Sequence, residues 1–218
     1  MMKRLRQEKG SVMLFTLALL GVMTLLFAVM LNLVKMYTEK QHASNAAEQA
    51  SLAVTAEIYR IVKEGIDEAD SLGLLCSADL LPWPKSMNEQ IQEKKNQIAG
   101  ISSNAEWSEQ ELYRAAVNEV LPSKLQDPNY ICLKEIIERK LWDERSQVKY
   151  AAEKLIEAAG AKWTETEIAL DKYRVEVKTA REYRAFKYDG WVPENKRNIY
   201  QVGKGPHMEF FKYVTWPL

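Results

Sequence analysis

Along the chain the apolar positions first form an unbroken run and only later acquire a period. From Ser11 to Val34 no charged residue occurs and most side chains are apolar. A helix of that length rises roughly 36 Å, enough to cross a hydrocarbon core of about 30 Å with some tilt. The polar residues inside it, Thr16, Thr24 and Asn32, are uncharged, and hydroxyls can bond back to the helix's own carbonyls. From Ala43 the pattern becomes periodic: small residues recur at Ala46, Ala47, Ala50, Ala53, Val54 and Ala56, with Glu48, Gln49 and Glu57 mainly between them. Spacings of three and four put the small residues on one helical stripe. No Pro or Gly lies between Gly21 and Gly65, so span and stem can form one long helix.

Further on, Gly65, Gly73, Pro82 and Pro84 predict a break, with Leu72–Cys76 and Leu80–Pro84 as an apolar loop folding back on the domain. Helical spacing resumes from Ser108 to Leu121, where Ser108 and Glu111 stand as in a capping box and Pro122 is expected to stop the run. A longer helix is predicted from Tyr130 to Ala159. Its apolar face carries Leu133, Ile137, Leu141, Val148, Ala152 and Leu155, its solvated face Glu135, Glu138, Arg139, Asp143, Glu144 and Arg145, and Gly160 is its terminal cap. The last quarter changes period. Tyr173–Lys178 alternates, aromatics follow from Tyr183 to Tyr188, and Ile199–Val202 and Met208–Trp216 flank Gly203-Lys204-Gly205-Pro206, which reads as strands with a hairpin. The predicted fold class is α+β: an N-terminal transmembrane helix, a stem helix, a helical middle and a small C-terminal antiparallel sheet. The segments are a basic arm (1–10), the span (11–34), the stem (35–64) and an extracytoplasmic domain (65–218).

Charge orients the span. Lys3, Arg4, Arg6 and Lys9 precede it against Glu8, whereas Lys35 and Lys40 follow it close to Glu39. Basic flanks stay on the cytoplasmic side, so a cell-membrane protein with one pass, a cytoplasmic N-terminus and an extracytoplasmic C-terminal domain is expected. A cleaved signal needs a shorter apolar region, about 7 to 15 residues, and a small-x-small site; Leu26–Leu31 offers none. Charges balance over the whole chain, 30 basic and 30 acidic. Without the arm the exterior is slightly acidic, with no basic field to attract nucleic acid.

No constellation of catalytic residues emerges. The two histidines, His42 and His207, lack metal-ligand spacing. Gly203-Lys204-Gly205 lacks the further glycines and following helix of a phosphate cradle and reads as a turn. Glu135/Glu138 and Asp143/Glu144 sit among Arg and Lys on a solvated face, which keeps them from general-acid work. No cofactor, no metal and no enzymatic activity are expected. Cys76 and Cys132 are the two cysteines; beyond the membrane they can form a bridge, or they can be buried thiols in their apolar surroundings.

The string Arg6-Gln7-Glu8-Lys9-Gly10-Ser11-Val12, the apolar run, Tyr37, and then Gln41 to Ala53 with Asn45-Ala46-Ala47-Glu48-Gln49-Ala50 resemble the N-terminal region of TadE/TadG-like proteins of the tight-adherence (Flp) pilus system. The resemblance covers residues 4 to 56. It implies a pilin-like plan, a long N-terminal helix with a sheet laid on it, and prepilin-type processing between Gly10 and Ser11. One departure bears on that implication: Phe15 stands where pilins and the TadE branch carry a Glu five residues into the mature span. A carboxylate there would need a partner in hydrocarbon. Its absence favours the TadG-like side and puts processing and entry into a filament in question.

Two functions follow. The first is a membrane-anchored pilin-like structural or assembly component, whose partners are the lipid bilayer, other pilus or secretion-system membrane proteins, and further copies through the N-terminal helix. The second is a single-pass anchored ligand-sensing or envelope structural domain unrelated to pili. The stripe Ala43, Ala46, Ala47, Ala50, Ala53 serves the first reading if it packs on another chain, and neither in particular if it packs on its own domain.

Overall fold

The computed structural model describes residues 2–72, 85–101, 104, 106–184 and 197–216, with the backbone alone over 2–11. One helix, α1 (Met2–Leu72), takes up 71 residues, roughly 105 Å at the α-helical rise. Its two halves differ in environment. From Val12 to Tyr37 the large apolar side chains stand exposed. From Ala43 onward Ala46, Ala47, Ala50, Val54, Ile58, Ile61, Val62, Ile66 and Ala69 are buried, and their spacing places them along one face.

The rest of the chain is built on that face. After α2 (Met87–Ala99) and α3 (Glu109–Leu125) come a 3₁₀ turn (Pro128–Tyr130), α4 (Ile131–Asp143) and α5 (Arg145–Ala158). Strands β1 (Lys162–Asp171), β2 (Arg174–Glu182) and β3 (Asn198–His207) form an antiparallel sheet in the order β1-β2-β3, followed by a 3₁₀ turn (Glu209–Lys212). Helices α4 and α5 and strands β2 and β3 all contact α1. The core is therefore one layer around a central helix, α+β as the sequence predicts.

Several elements depart from the sequence reading. Helix α1 passes through Gly65 without a break, and the glycine there makes room for α4, since a Cβ would lie 3.1 Å from Ile137 Cγ1. The apolar loop expected over 72–84 falls, beyond Leu72, outside the described residues. Helix α2 was not anticipated. Pro122 lies inside α3 rather than ending it, since Leu121 and Leu125 are buried on either side of it and anchor the final turn. The helix expected over 130–159 is two helices, broken at Glu144, whose backbone (φ −96°, ψ 9°) leaves the helical region. The bend keeps both apolar faces, Leu133/Ile137/Leu141 and Val148/Ala152/Ile156, buried on one straight partner.

In the sheet, Lys162–Asp171 is a strand that the sequence reading left out. Tyr173 is a turn residue: Lys172 (φ 45°) and Tyr173 (φ 64°) form the two-residue β1–β2 hairpin, the left-handed pair that such turns require. Gly203-Lys204-Gly205-Pro206 is not a turn but the second half of β3. Pro206 is tolerated because β3 is an edge strand. Met208–Trp216 is no strand either. Met208, Phe210, Phe211 and Val214 are buried, and the segment plugs the core, with Phe210 edge-on to Tyr59 at 5.8 Å and Phe211 stacked on Trp216 at 5.6 Å. Asn118 of α3 fixes it, donating to His207 O (2.9 Å) and accepting from Glu209 N (3.2 Å). Of the aromatic stretch from Tyr183 to Tyr188, residues 185–188 lie outside the described residues.

Candidate membrane anchor and interaction surface

Within the apolar run Thr16, Thr24 and Asn32 each bond to their own helix. Thr16 donates to Met13 O (2.9 Å), Thr24 to Leu20 O (2.8 Å) and Asn32 Nδ2 to Ala28 O (3.1 Å). A lipid-facing surface cannot supply water to such groups, so this internal pairing is what the span needs. No part of the most apolar window is buried by the rest of the chain, and it is long and apolar enough to cross a membrane. The Gly10–Ser11 bond lies within the helical backbone of α1, and Phe15 is exposed, at 69%.

The alanine stripe meets the chain's own sheet. Ala43, Ala46, Ala47 and Ala50 are buried, while Ala53 is half-buried. Opposite them run the glycines of β3: a Cβ on Gly203 would fall 2.2 Å from Ala47 C and 2.3 Å from Glu48 N, and one on Gly205 would fall 2.5 Å from Thr55 Oγ1. Two backbones approach here because neither carries a side chain of any size, so the buried part of this stripe is not open to another chain. A second row on the same stretch of helix is exposed: Asn45, Gln49, Leu52 and Ala56.

Charged groups outside the span are used structurally. Arg60 of α1 pairs with Glu57 (2.8 Å), with Glu64 and, at the α4–α5 break, with Glu144 (2.5 Å), and these carboxylates, Glu57 first, raise its pKa further. Glu144, expected on a solvated face, is thus tied into the fold. Glu138 accepts from Thr215 N (2.8 Å), and Arg139 pairs with Glu68. A cleft of about 760 Å³ opens between α1, α2 and α3 beside Tyr59, Lys63, Tyr113 and Arg114. Burial pushes the Tyr59 phenol up to about 12 and raises that of Tyr113 as well, so both stay protonated at ordinary pH and are unsuited to act as bases. His42 is exposed on α1. His207, expected in a turn, ends β3 and lies 3.3 Å from Glu209. Among the described residues no group of three His, Cys, Asp or Glu side chains is placed to hold a metal ion. Cys132, half-buried at the start of α4, is disulfide-bonded, and Cys76 lies outside the described residues.

Residues 10–57 match the family model described as putative Flp pilus-assembly TadE/G-like. The match begins at Gly10, covers the exposed span and the alanine stripe, and does not separate the TadE from the TadG branch. Comparisons with curated proteins and with solved structures find no match.

Proposed function

From a TadE/G-like N-terminal segment joined to a domain of unmatched structure, we propose a membrane-anchored, pilin-like structural or assembly component of a tight-adherence (Flp) pilus or a related secretion apparatus. It works by packing and protein–protein contact and not by catalysis. The observation that carries this reading is the coincidence of the family match at residues 10–57 with a helix that combines an exposed apolar run and a sheet-bearing face. The basic arm is cytoplasmic, and the chain from about residue 35 onward is outside. Partners in the apparatus meet the exposed side of the span and the row Asn45, Gln49, Leu52 and Ala56, since Ala43, Ala46, Ala47 and Ala50 are occupied by β3. Self-association, where it occurs, uses the span.

Deleting the gene in its native strain and counting surface pili by electron microscopy tests the proposal. Loss of pili or of their secreted subunit, restored by the full chain and not by a chain carrying Leu52→Glu, is the expected outcome. Undiminished pili in the deletion strain would sink it.

A further inference from the structure

The sheet does not stop short of the span. Strand β2 descends along α1: Arg181 pairs with Glu39 at 2.8 Å, and just past the strand the Tyr183 hydroxyl lies 3.4 Å from both the backbone oxygen and Oδ1 of Asn32. Asn32 belongs to the last turn of the apolar run, two residues before Val34, about 3 Å along the helix axis. If the run crosses the membrane, the tip of β2 is therefore at headgroup depth. Tyr183 then has the placement that interfacial tyrosines favour, ring against the apolar boundary and hydroxyl towards polar groups. With the run in the membrane, these contacts set the domain on the bilayer surface.

The charge at that level is basic. Arg184 follows Tyr183 and is exposed, Arg197 is joined to the same point by the bond from Tyr183 N to its carbonyl (2.8 Å), and Lys35 stands one turn above Asn32 on α1. Among the described residues the acids at this level are paired, Glu39 with Arg181, and Glu182 with Lys162 (3.2 Å) and Arg184 (3.2 Å), and the basic side chains there outnumber them. We propose that the membrane-facing end of the sheet, Tyr183 with Arg184, Arg197 and Lys35, is a second membrane contact that binds the phosphate groups of anionic phospholipids. This rests on the reading of residues 11–34 as a transmembrane span. Each basic side chain near an anionic surface favours it about fivefold. A domain fixed in this way has one orientation relative to the membrane, and so presents the Leu52 row in a constant direction.

The full-length chain is reconstituted in nanodiscs of phosphatidylglycerol and phosphatidylcholine, with the photo-crosslinking residue p-benzoylphenylalanine placed singly at Tyr183, at exposed Arg184, at Phe15 in the span and at exposed Tyr150 on α5. Lipid adducts are read by mass spectrometry. Adducts at 15 and at 183 or 184, none at 150, are expected. Those at 183 should be enriched in phosphatidylglycerol several-fold over its mole fraction, an enrichment that Arg197→Gln with Lys35→Gln removes. Adducts at 15 without any at 183 or 184 overturn the seat and leave the span intact. Adducts at 183 or 184 that merely follow the mole fraction overturn the anionic preference, and with it the proposal. Absence of adducts at 15 overturns both readings.

Discussion

Glycine and alanine do opposite jobs on the two sides of the helix–sheet contact. Alanine keeps α1 helical while presenting almost no bulk, and glycine removes the Cβ that a strand would otherwise push into the helix backbone. Gly203 has no room for even a methyl group, whereas Gly21 in the span has nothing within 4 Å of its missing Cβ. Gly203→Ala must therefore displace β3 from α1 and is expected to cost about 1–3 kcal/mol, the range of overpacked cores; Gly21→Ala is expected to leave the domain's stability unchanged. Thermal unfolding of the full chain in detergent, followed by near-ultraviolet circular dichroism, compares them, and equal melting temperatures would contradict the close contact. Phe15 is the other informative residue. Exposed in the span, it stands where pilins of the resembled family carry an acid and so counts against processing; a prepilin peptidase acting on this chain would cut between Gly10 and Ser11, because Gly10 is the glycine at the basic-to-apolar junction. The mature N-terminus in a strain with active peptidase, measured by mass spectrometry, is expected to begin at Ser11 if processing accompanies the family match and at Met1 or Met2 if it does not.

At the scale of elements, caps explain where the short helices begin. Ser108 and Glu111 form a full capping box at the start of α3, and Ser86 with Glu89 does the same for α2. Helix α2 is docked further by Asp70 near the end of α1, whose carboxylate accepts from Met87 N (2.7 Å) and Asn88 N (2.9 Å). These bonds satisfy amides that the first turn of a helix otherwise leaves without partners. Ser108→Ala is expected to cost about 1 kcal/mol, a fall in melting temperature of about 2–4 °C for a chain of this size. The same cap carries a pH dependence. Hydrogen bonds from Ser108, its side chain first and then its backbone, lower the Glu111 pKa. A carboxylate whose pKa is lowered on folding contributes fully above its unfolded value, about 4.3, and loses that contribution as pH falls through the folded value. Amide exchange over 109–112 should therefore lose protection in mild acid in the natural chain, and the loss should be smaller in Ser108→Ala.

The whole molecule is a long helix with a domain wrapped around its C-terminal half, while the apolar side chains of Val12 to Tyr37 are left bare. That division argues for a membrane span, since a water-soluble chain would not leave Val12 to Tyr37 uncovered, and the orientation we propose rests on the flanking charges. Alkaline phosphatase fused after Leu218 is expected to be active; an inactive fusion, alongside a cytoplasmic reporter active at the same site, would reverse the orientation. An exterior domain can also carry a staple. With Cys132 bonded and Cys76 the only other cysteine of the chain, we propose that these two pair. Their loop of roughly 57 residues stabilises by about 4 kcal/mol in the chain-entropy account. Thiol labelling of unfolded, unreduced protein from the envelope should find no reactive thiol, and two per chain would exclude the bridge.

Much of the helical part was legible in the order of residues, because a helix is a local object. An unbroken apolar run, a three-and-four spacing and a Ser-x-x-Glu cap identify the span, the buried face of α1 and the start of α3 whatever surrounds them. Helix α2 escaped because so few of its positions are buried, Met87, Ile91 and Ile98, although its own Ser-Glu cap was a usable signal. What the sequence left open was settled by distant parts of the chain meeting. The glycines of β3 look like a turn until α1 lies against them, and Met208–Trp216 alternates like a strand until its aromatics are needed to close the core. The break at Glu144 appears only because two helices must follow one straight partner. The alanine stripe could have faced another chain or its own sheet, since a helix records which face is small but not what will cover it. Only the tertiary structure assigns that face to β3 and brings Tyr183 down to Asn32, for a contact between residues about 150 positions apart is decided by packing and leaves no local pattern in either segment.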